Sequence, residues 1–110
     1  MTRDLTTCST HVLDAALGVP AAGLGVRLAD ATGAVLAEAE TDDDGRIRFD
    51  PGLAPGPHTL RFETGAWFAA ADRDHFHPHV EVAFEVTGEQ PHLHVALLLS
   101  PFAYTTYRGS

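Results

Sequence analysis

Apolar and polar residues alternate with a period of two through most of this chain, a pattern that predicts strands. Ile47 and Phe49 alternate with Arg46 and Arg48, and Leu60 and Phe62 alternate with Thr59 and Arg61. Val26 and Leu28 share a face, while Val35 and Leu36 fall on opposite ones. The clearest run is HVEVAFEV: Val80, Val82, Phe84 and Val86 point one way, His79, Glu81, Ala83 and Glu85 the other. The turn signals ATGA, DDDG, PGLAPGP and TGEQP separate these runs at short intervals. Many short strands at this spacing predict an all-β fold, a sandwich or a barrel. One segment breaks the pattern. GAWFAAADRD, residues 65–74, reads as a short helix.

The segment HLHVALLL, residues 92–99, carries more apolar residues than one buried face needs. Leu93, Val95, Leu97 and Leu99 occupy one face and His92, His94, Ala96 and Leu98 the other, so its second half is apolar on both. A strand in a two-layer sandwich keeps a polar outer face. The excess therefore predicts contact with another subunit. The residues that follow Ser100-Pro101 read as a polar tail beyond the last strand.

A chain of 110 residues is one domain, here residues 1–110, with no repeat, linker or low-complexity tract. With 45% apolar and 20% charged residues, the balance is that of a soluble globular protein. The net charge of -8 argues against a nucleic-acid footprint or an anionic membrane surface. Any anion-handling site must be a local cluster of Arg and His. The opening MTRDLTTCSTHVLD holds no apolar stretch fit for a signal peptide. The aliphatic run Val95 to Leu99 is too short to span a bilayer, so the cytoplasm is the expected compartment. Cys8 stands alone, which excludes an internal disulfide and a multi-cysteine zinc site.

Seven histidines are many for this length. His92 and His94 are two apart, so on a strand they share a face with Cβ atoms roughly 6–7 Å apart. Histidine suits proton transfer near neutrality. His11 lies in STHVLDAALGVP, and Arg46 directly follows the TDDDG turn. Taken singly, each has an ordinary reading as a surface or interface residue. HFHPH at 75–79, together with His92 and His94, raises a zinc site. Pro78, between a predicted helix and a predicted strand, instead places those histidines in a solvated connection, and no metal is assigned. Ser100 lacks the glycines of a nucleophile elbow, and Cys8 reads as a small strand residue.

STHVLDAALGVPA, DDDGR, HPHVEVAFEV and above all HLHVALLLSPFAYTTYRGS closely resemble the 5-hydroxyisourate hydrolases, the transthyretin-like enzymes of urate breakdown. The resemblance runs from about Cys8 to Ser110. The terminal Tyr-Arg-Gly-Ser separates these hydrolases from transthyretin, the hormone carrier of the same fold. Position by position, the family's site falls on His11, Arg46, His94 and the tetrapeptide Tyr107 to Ser110. His11, Arg46 and His94 are the implied catalytic residues. His11, Arg46, Tyr107, Arg108 and Ser110 are the implied substrate contacts, Ser110 with its hydroxyl and carboxylate. The chain departs from the family pattern at Ala96, usually Pro, at Ala103, usually Gly, at Thr105, usually Ser, and at His77, often Tyr or Phe. None of these is a matched catalytic position.

The resemblance implies a two-sheet transthyretin-like β-sandwich with one short helix, assembled as a homotetramer whose sites lie where subunits meet. It implies a cofactor-free, metal-independent hydrolysis of 5-hydroxyisourate to 2-oxo-4-hydroxy-4-carboxy-5-ureidoimidazoline, with water attacking a ring carbonyl. Two rivals are a transthyretin-like carrier of a small ligand without catalysis and an accessory β-sandwich of a longer protein. Neither needs His11, Arg46, His94 and the Tyr-Arg-Gly-Ser segment together.

Overall fold

The computed structural model describes residues 5–110; residues 1–4, part of the opening stretch read above for a signal peptide, lie outside the described residues. Nine strands and one helix follow in order: β1 (Thr6–Asp14), β2 (Val19–Pro20), β3 (Gly25–Ala29), β4 (Val35–Glu40), β5 (Arg46–Leu53), β6 (Gly56–Phe62), α1 (Thr64–Ala70), β7 (Val80–Val86), β8 (His92–Leu99) and β9 (Tyr104–Gly109). One sheet runs β4-β3-β6-β7. The other is built around β1, with β8 and then β9 on one side and β5 and β2 sharing the other. The fold is the two-sheet β-sandwich with one short helix that the alternation and the resemblance predict.

The core lies between the sheets. Leu24, Leu28, Leu60, Phe62, Phe68, Leu97 and Leu99 are almost fully buried there, each contributing about 1.5–3 kcal/mol by leaving water. Strand β1 turns Thr6, Cys8, Thr10, Val12 and Asp14 inward and Thr7, Ser9, His11 and Leu13 outward. Its two buried hydroxyls are satisfied: Thr6 donates to the Gln90 carbonyl at 2.6 Å and Thr10 to the Val95 carbonyl at 2.7 Å. Burial pushes the Cys8 thiol up to about 12, so it stays a neutral core group. Phe84, on the same face of β7 as Val80, Val82 and Val86, is only half-buried, and His58 on β6 is buried beside it with ring centroids 5.9 Å apart.

Two sequence expectations change. The helix stops at Ala70 rather than running to residue 74. Asp72 takes the left-handed conformation, φ 55°. The N–H groups of Asp72 and Arg73 then bond back to the carbonyls of Ala69 and Phe68, both at 3.0 Å, which closes the last turn. The second change is larger. The segment read as a polar tail contains strand β9, antiparallel to β8 from Leu99↔Tyr104 to His94↔Gly109. It covers Ala96, so that residue is already buried within one chain, and the surplus apolar surface on the outer face of β8 reduces to half-buried Leu98.

The chain reversal after α1 aims Arg73 at the end of β1. Its guanidinium donates to Asp14 at 2.6 Å, and its carbon lies 4.9 Å from the Phe68 ring centroid. The Asp14 side chain is 1% exposed and that of Arg73 22%. Burial alone would push the Asp14 carboxyl up. The Arg73 hydrogen bond, the Leu17 N–H, the Arg73 charge and the Ala16 N–H together outweigh burial and hold it below its usual value.

Arg73→Ala should therefore destabilise the fold near neutrality by about 2–3 kcal/mol, less than the ~3–5 kcal/mol of a fully buried pair. The half-buried arginine and the two backbone donors account for the discount. Because the folded-state pKa of Asp14 is depressed, this stabilisation is complete above the ordinary aspartate value of 3.8 and is lost as pH falls through the lower folded value. Urea midpoints of the two proteins should converge in acid, and a gap that is constant with pH would mean that the pair is not responsible.

Candidate active site

The outer face of the β1 sheet carries its polar residues in rows. Antiparallel pairing sets His11 opposite Arg46 and Ser9 opposite Arg48. Parallel pairing with β8 sets His11 beside Ala96, Ser9 beside His94 and Thr7 beside His92. Strand β9 adds Tyr107 opposite Ala96 and Gly109 opposite His94. One row is thus Arg46, His11, Ala96, Tyr107, and the next is Arg48, Ser9, His94, Gly109. The small residues Ala96 and Gly109 leave room above the sheet.

Arg46 owes its position to the DDDG turn. The Asp42 carboxylate accepts the N–H groups of Asp44 and Arg46, both at 2.9 Å. Gly45 has φ 77°, and a Cβ there would collide with the Val12 carbonyl oxygen, so the turn closes on β1 only with glycine. The Val12 N–H donates to the Gly45 carbonyl at 2.8 Å, and the chain enters β5 with Arg46 already opposite His11.

His94 is held on two sides. Its Nδ1 is 2.7 Å from the Ser9 hydroxyl. The other edge of the ring lies against Gly109, where an added Cβ would strike Cδ2. The His11 ring is 6.5 Å away between centroids, tilted by 44°. A cavity of about 410 Å³ opens beside His94, lined by Ser9, Asp42, Arg46, Arg48, His92 and Ser110 among others; His11 lies outside its lining. Burial, then the charges of His11, Arg46 and His92, lowers the His94 pKa from its ordinary 6.5, so the ring is neutral and able to accept a proton near neutrality.

The structure brings His11, Arg46, His94 and Ser110 to one region and sets Tyr107 at its β9 border. Arg108 is placed differently. It pairs with Val95, so alternation turns it to the other face of β9, into a cleft with Val82, Phe84 and Leu93. His94 borders that cleft as well, and Arg108 meets His92, His94 and Ser110 in an adjoining cavity at the strand edge. Ser9 and Thr7 were not singled out in the sequence, because a hydroxyl residue on a strand carries no signal until the parallel register with His-x-His is known. His75, His77 and His79 do not join the site. His75 stacks on Phe68, His77 meets Tyr104, and His79 is 3.6 Å from Glu81. Among the described residues no three His, Cys, Asp or Glu side chains converge as metal ligands.

A two-sheet sandwich whose outer face brings His94, Arg46 and Ser110 to one cavity, with His11 beside His94, has the form of a small-molecule site on a β-sandwich. The model of the HIUase/Transthyretin family matches residues 8–109, and the chain belongs to that family. It is 44% identical to the 5-hydroxyisourate hydrolase of Caulobacter vibrioides, over 93% of this chain and 96% of that one. The structure of Klebsiella pneumoniae 5-hydroxyisourate hydrolase superposes with a TM-score of 0.88 at 40% identity, covering 96% of this chain and all of that one. The transthyretin of Sparus aurata is also similar, with a TM-score of 0.84 at 31% identity over 93% and 95% of the two chains.

Followed by NMR, His94 should titrate below the ordinary 6.5. Arg46→Met removes a nearby positive charge and should raise that midpoint while leaving His94 below 6.5, since burial is the larger cause. A midpoint unmoved by the substitution would place the Arg46 charge outside the field felt by His94.

Proposed function

We infer that this chain hydrolyses 5-hydroxyisourate in urate breakdown, an activity named for relatives that match it along nearly their whole length at about 40% identity. The observation that carries the site assignment is the meeting of His94, His11 and Arg46 on one face of the β1 sheet. The carrier reading accounts for the fold but gives these three groups no task. A direct test is the ultraviolet decay of freshly made 5-hydroxyisourate with and without the protein.

Opening a cyclic amide requires a base for water, donors for the developing oxyanion and contacts that hold a flat ring. His94, neutral and with one ring nitrogen free, takes a proton as the water oxygen bonds to the ring carbonyl carbon. Arg46 offers a planar fork of N–H donors to the oxygen that gains charge. When the C–N bond breaks, the leaving nitrogen takes a proton back from the histidine pair, with His11 sharing that transfer. The Ser110 hydroxyl and Tyr107 hold the substrate edge, and Arg108 approaches it around the end of β9. The chemistry uses side chains alone, with no cofactor or metal.

A homotetramer is the proposed assembly, with the cytoplasm as its compartment. Support comes from the open outer face of the β1 sheet and from exposed Leu17, Val19, Phe102, Tyr104 and Tyr107. Sedimentation should return an assembly larger than one chain. A fully active monomer would end the idea that the site is shared between subunits.

His94→Asn should lower kcat by roughly two to four orders of magnitude with a smaller change in KM, as for loss of a general base. Arg46→Lys keeps charge but loses the planar fork, so it should be nearly as damaging as Arg46→Ala. Near-normal kinetics for the lysine variant would reduce Arg46 to a point charge.

A further inference from the structure

Behind His94 lies a chain of side-chain hydrogen bonds that the hydrolytic assignment does not use. The Ser9 hydroxyl touches His94 Nδ1 at 2.7 Å and His92 Nε2 at 2.8 Å. His92 Nδ1 is in turn 2.6 Å from the Thr7 hydroxyl, which also lies 3.3 Å from the Pro91 carbonyl. The order is His94, Ser9, His92, Thr7, Pro91. It follows from the register, because Thr7 and Ser9 project from β1 beside His92 and His94 of β8.

A hydroxyl has one proton to donate, and a neutral imidazole has one N–H. A hydroxyl oxygen can also accept twice, but if each hydroxyl passes the chain on by accepting once and donating once, it runs in one of two directions. If Thr7 donates to His92 Nδ1, then His92 Nε2–H donates to Ser9 and Ser9 donates to His94 Nδ1. His94 would then carry its proton on Nε2 and could not act as a base there. In the reverse direction His94 Nδ1–H donates to Ser9, Ser9 donates to His92 Nε2, His92 Nδ1–H donates to Thr7, and Thr7 donates to the Pro91 carbonyl. Only this direction uses all four contacts, because the chain ends on a group that can only accept. This direction also leaves His94 Nε2, which has no side-chain hydrogen-bond partner among the described residues, with a free lone pair.

We propose that Ser9, backed by His92 and Thr7, is a positioning residue that holds His94 with Nδ1 protonated and Nε2 free to take the proton of water. The proposal rests on the assignment of His94 as the base. It gives His92 a task without making it a second base. It also explains why Gly109 must be bare of a side chain: the ring, fixed by Ser9 on one edge, has no freedom to move away from a Cβ on the other.

The test compares wild type with Ser9→Ala, Ser9→Thr and His94→Asn, using steady-state kinetics and the imidazole nitrogen NMR spectrum. In wild type, above the His94 titration, the spectrum should show the Nδ1–H form of His94. Ser9→Ala should shift it toward the Nε2–H form that free imidazole side chains prefer, and lower kcat with KM changed less than about twofold. The expected loss is roughly tenfold to a thousandfold, below the ~10⁴ seen when a catalytic histidine is fixed in the wrong tautomer, because the freed ring still samples both forms. Ser9→Thr retains the hydroxyl and should recover most of the rate. If His94→Asn destroys activity while Ser9→Ala leaves tautomer and kcat unchanged, the positioning role is wrong and the base assignment stands. If His94→Asn is itself active, the base assignment fails first.

Discussion

Strand β1 is hydrogen-bonded along both edges, and its register governs the rest of the molecule. Every second residue of it faces the core, and the residues between face the site. A slip of one residue would drive Ser9 and His11 inward and expose Cys8 and Val12. The buried hydroxyls of Thr6 and Thr10 oppose such a slip, since each would lose a carbonyl partner across the strand. Asp14, clamped by Arg73, fixes the far end of the strand. The precision of the outer face is thus set by polar contacts on the inner one.

The site gathers arginines within an acidic protein. The chain carries a net charge of -8, yet Arg46 and Arg48 border the same cavity, together with Asp42 and Ser110. Close approach is permitted by what is missing: no side chain at Gly109 and only a methyl group at Ala96. These positions shape the site as firmly as the residues that reach into it. A bulky residue at Gly109 would replace none of the proposed catalytic residues, yet it would displace the His94 ring.

The architecture was legible in the alternation because burial on one face of a sheet leaves a period of two, as in Ile47 and Phe49 or Val80 and Val82. The helix end was not, since Asp72 adopts a left-handed backbone that favours glycine and gives no signal as an aspartate. Strand β9 escaped notice because Tyr104 to Arg108 are exposed throughout, with no apolar face to read. For the site, His-x-His and the Arg after Asp-Gly were weak marks alone and gained meaning only through likeness to a family. The places of Arg108 and Ser9 were beyond reach, for they depend on which strands are neighbours and in which register.

Parallel pairing of β1 with β8 joins the two ends of the chain, and Ser9 and His94 are 85 positions apart. Such a contact closes a long loop and is slow to form compared with the hairpins of the opposite sheet. The reactive groups therefore come together only when almost the whole polypeptide is available to pair. The hairpins of the opposite sheet join residues much closer in sequence and bring no two site residues together. The site in this protein is a property of the finished topology.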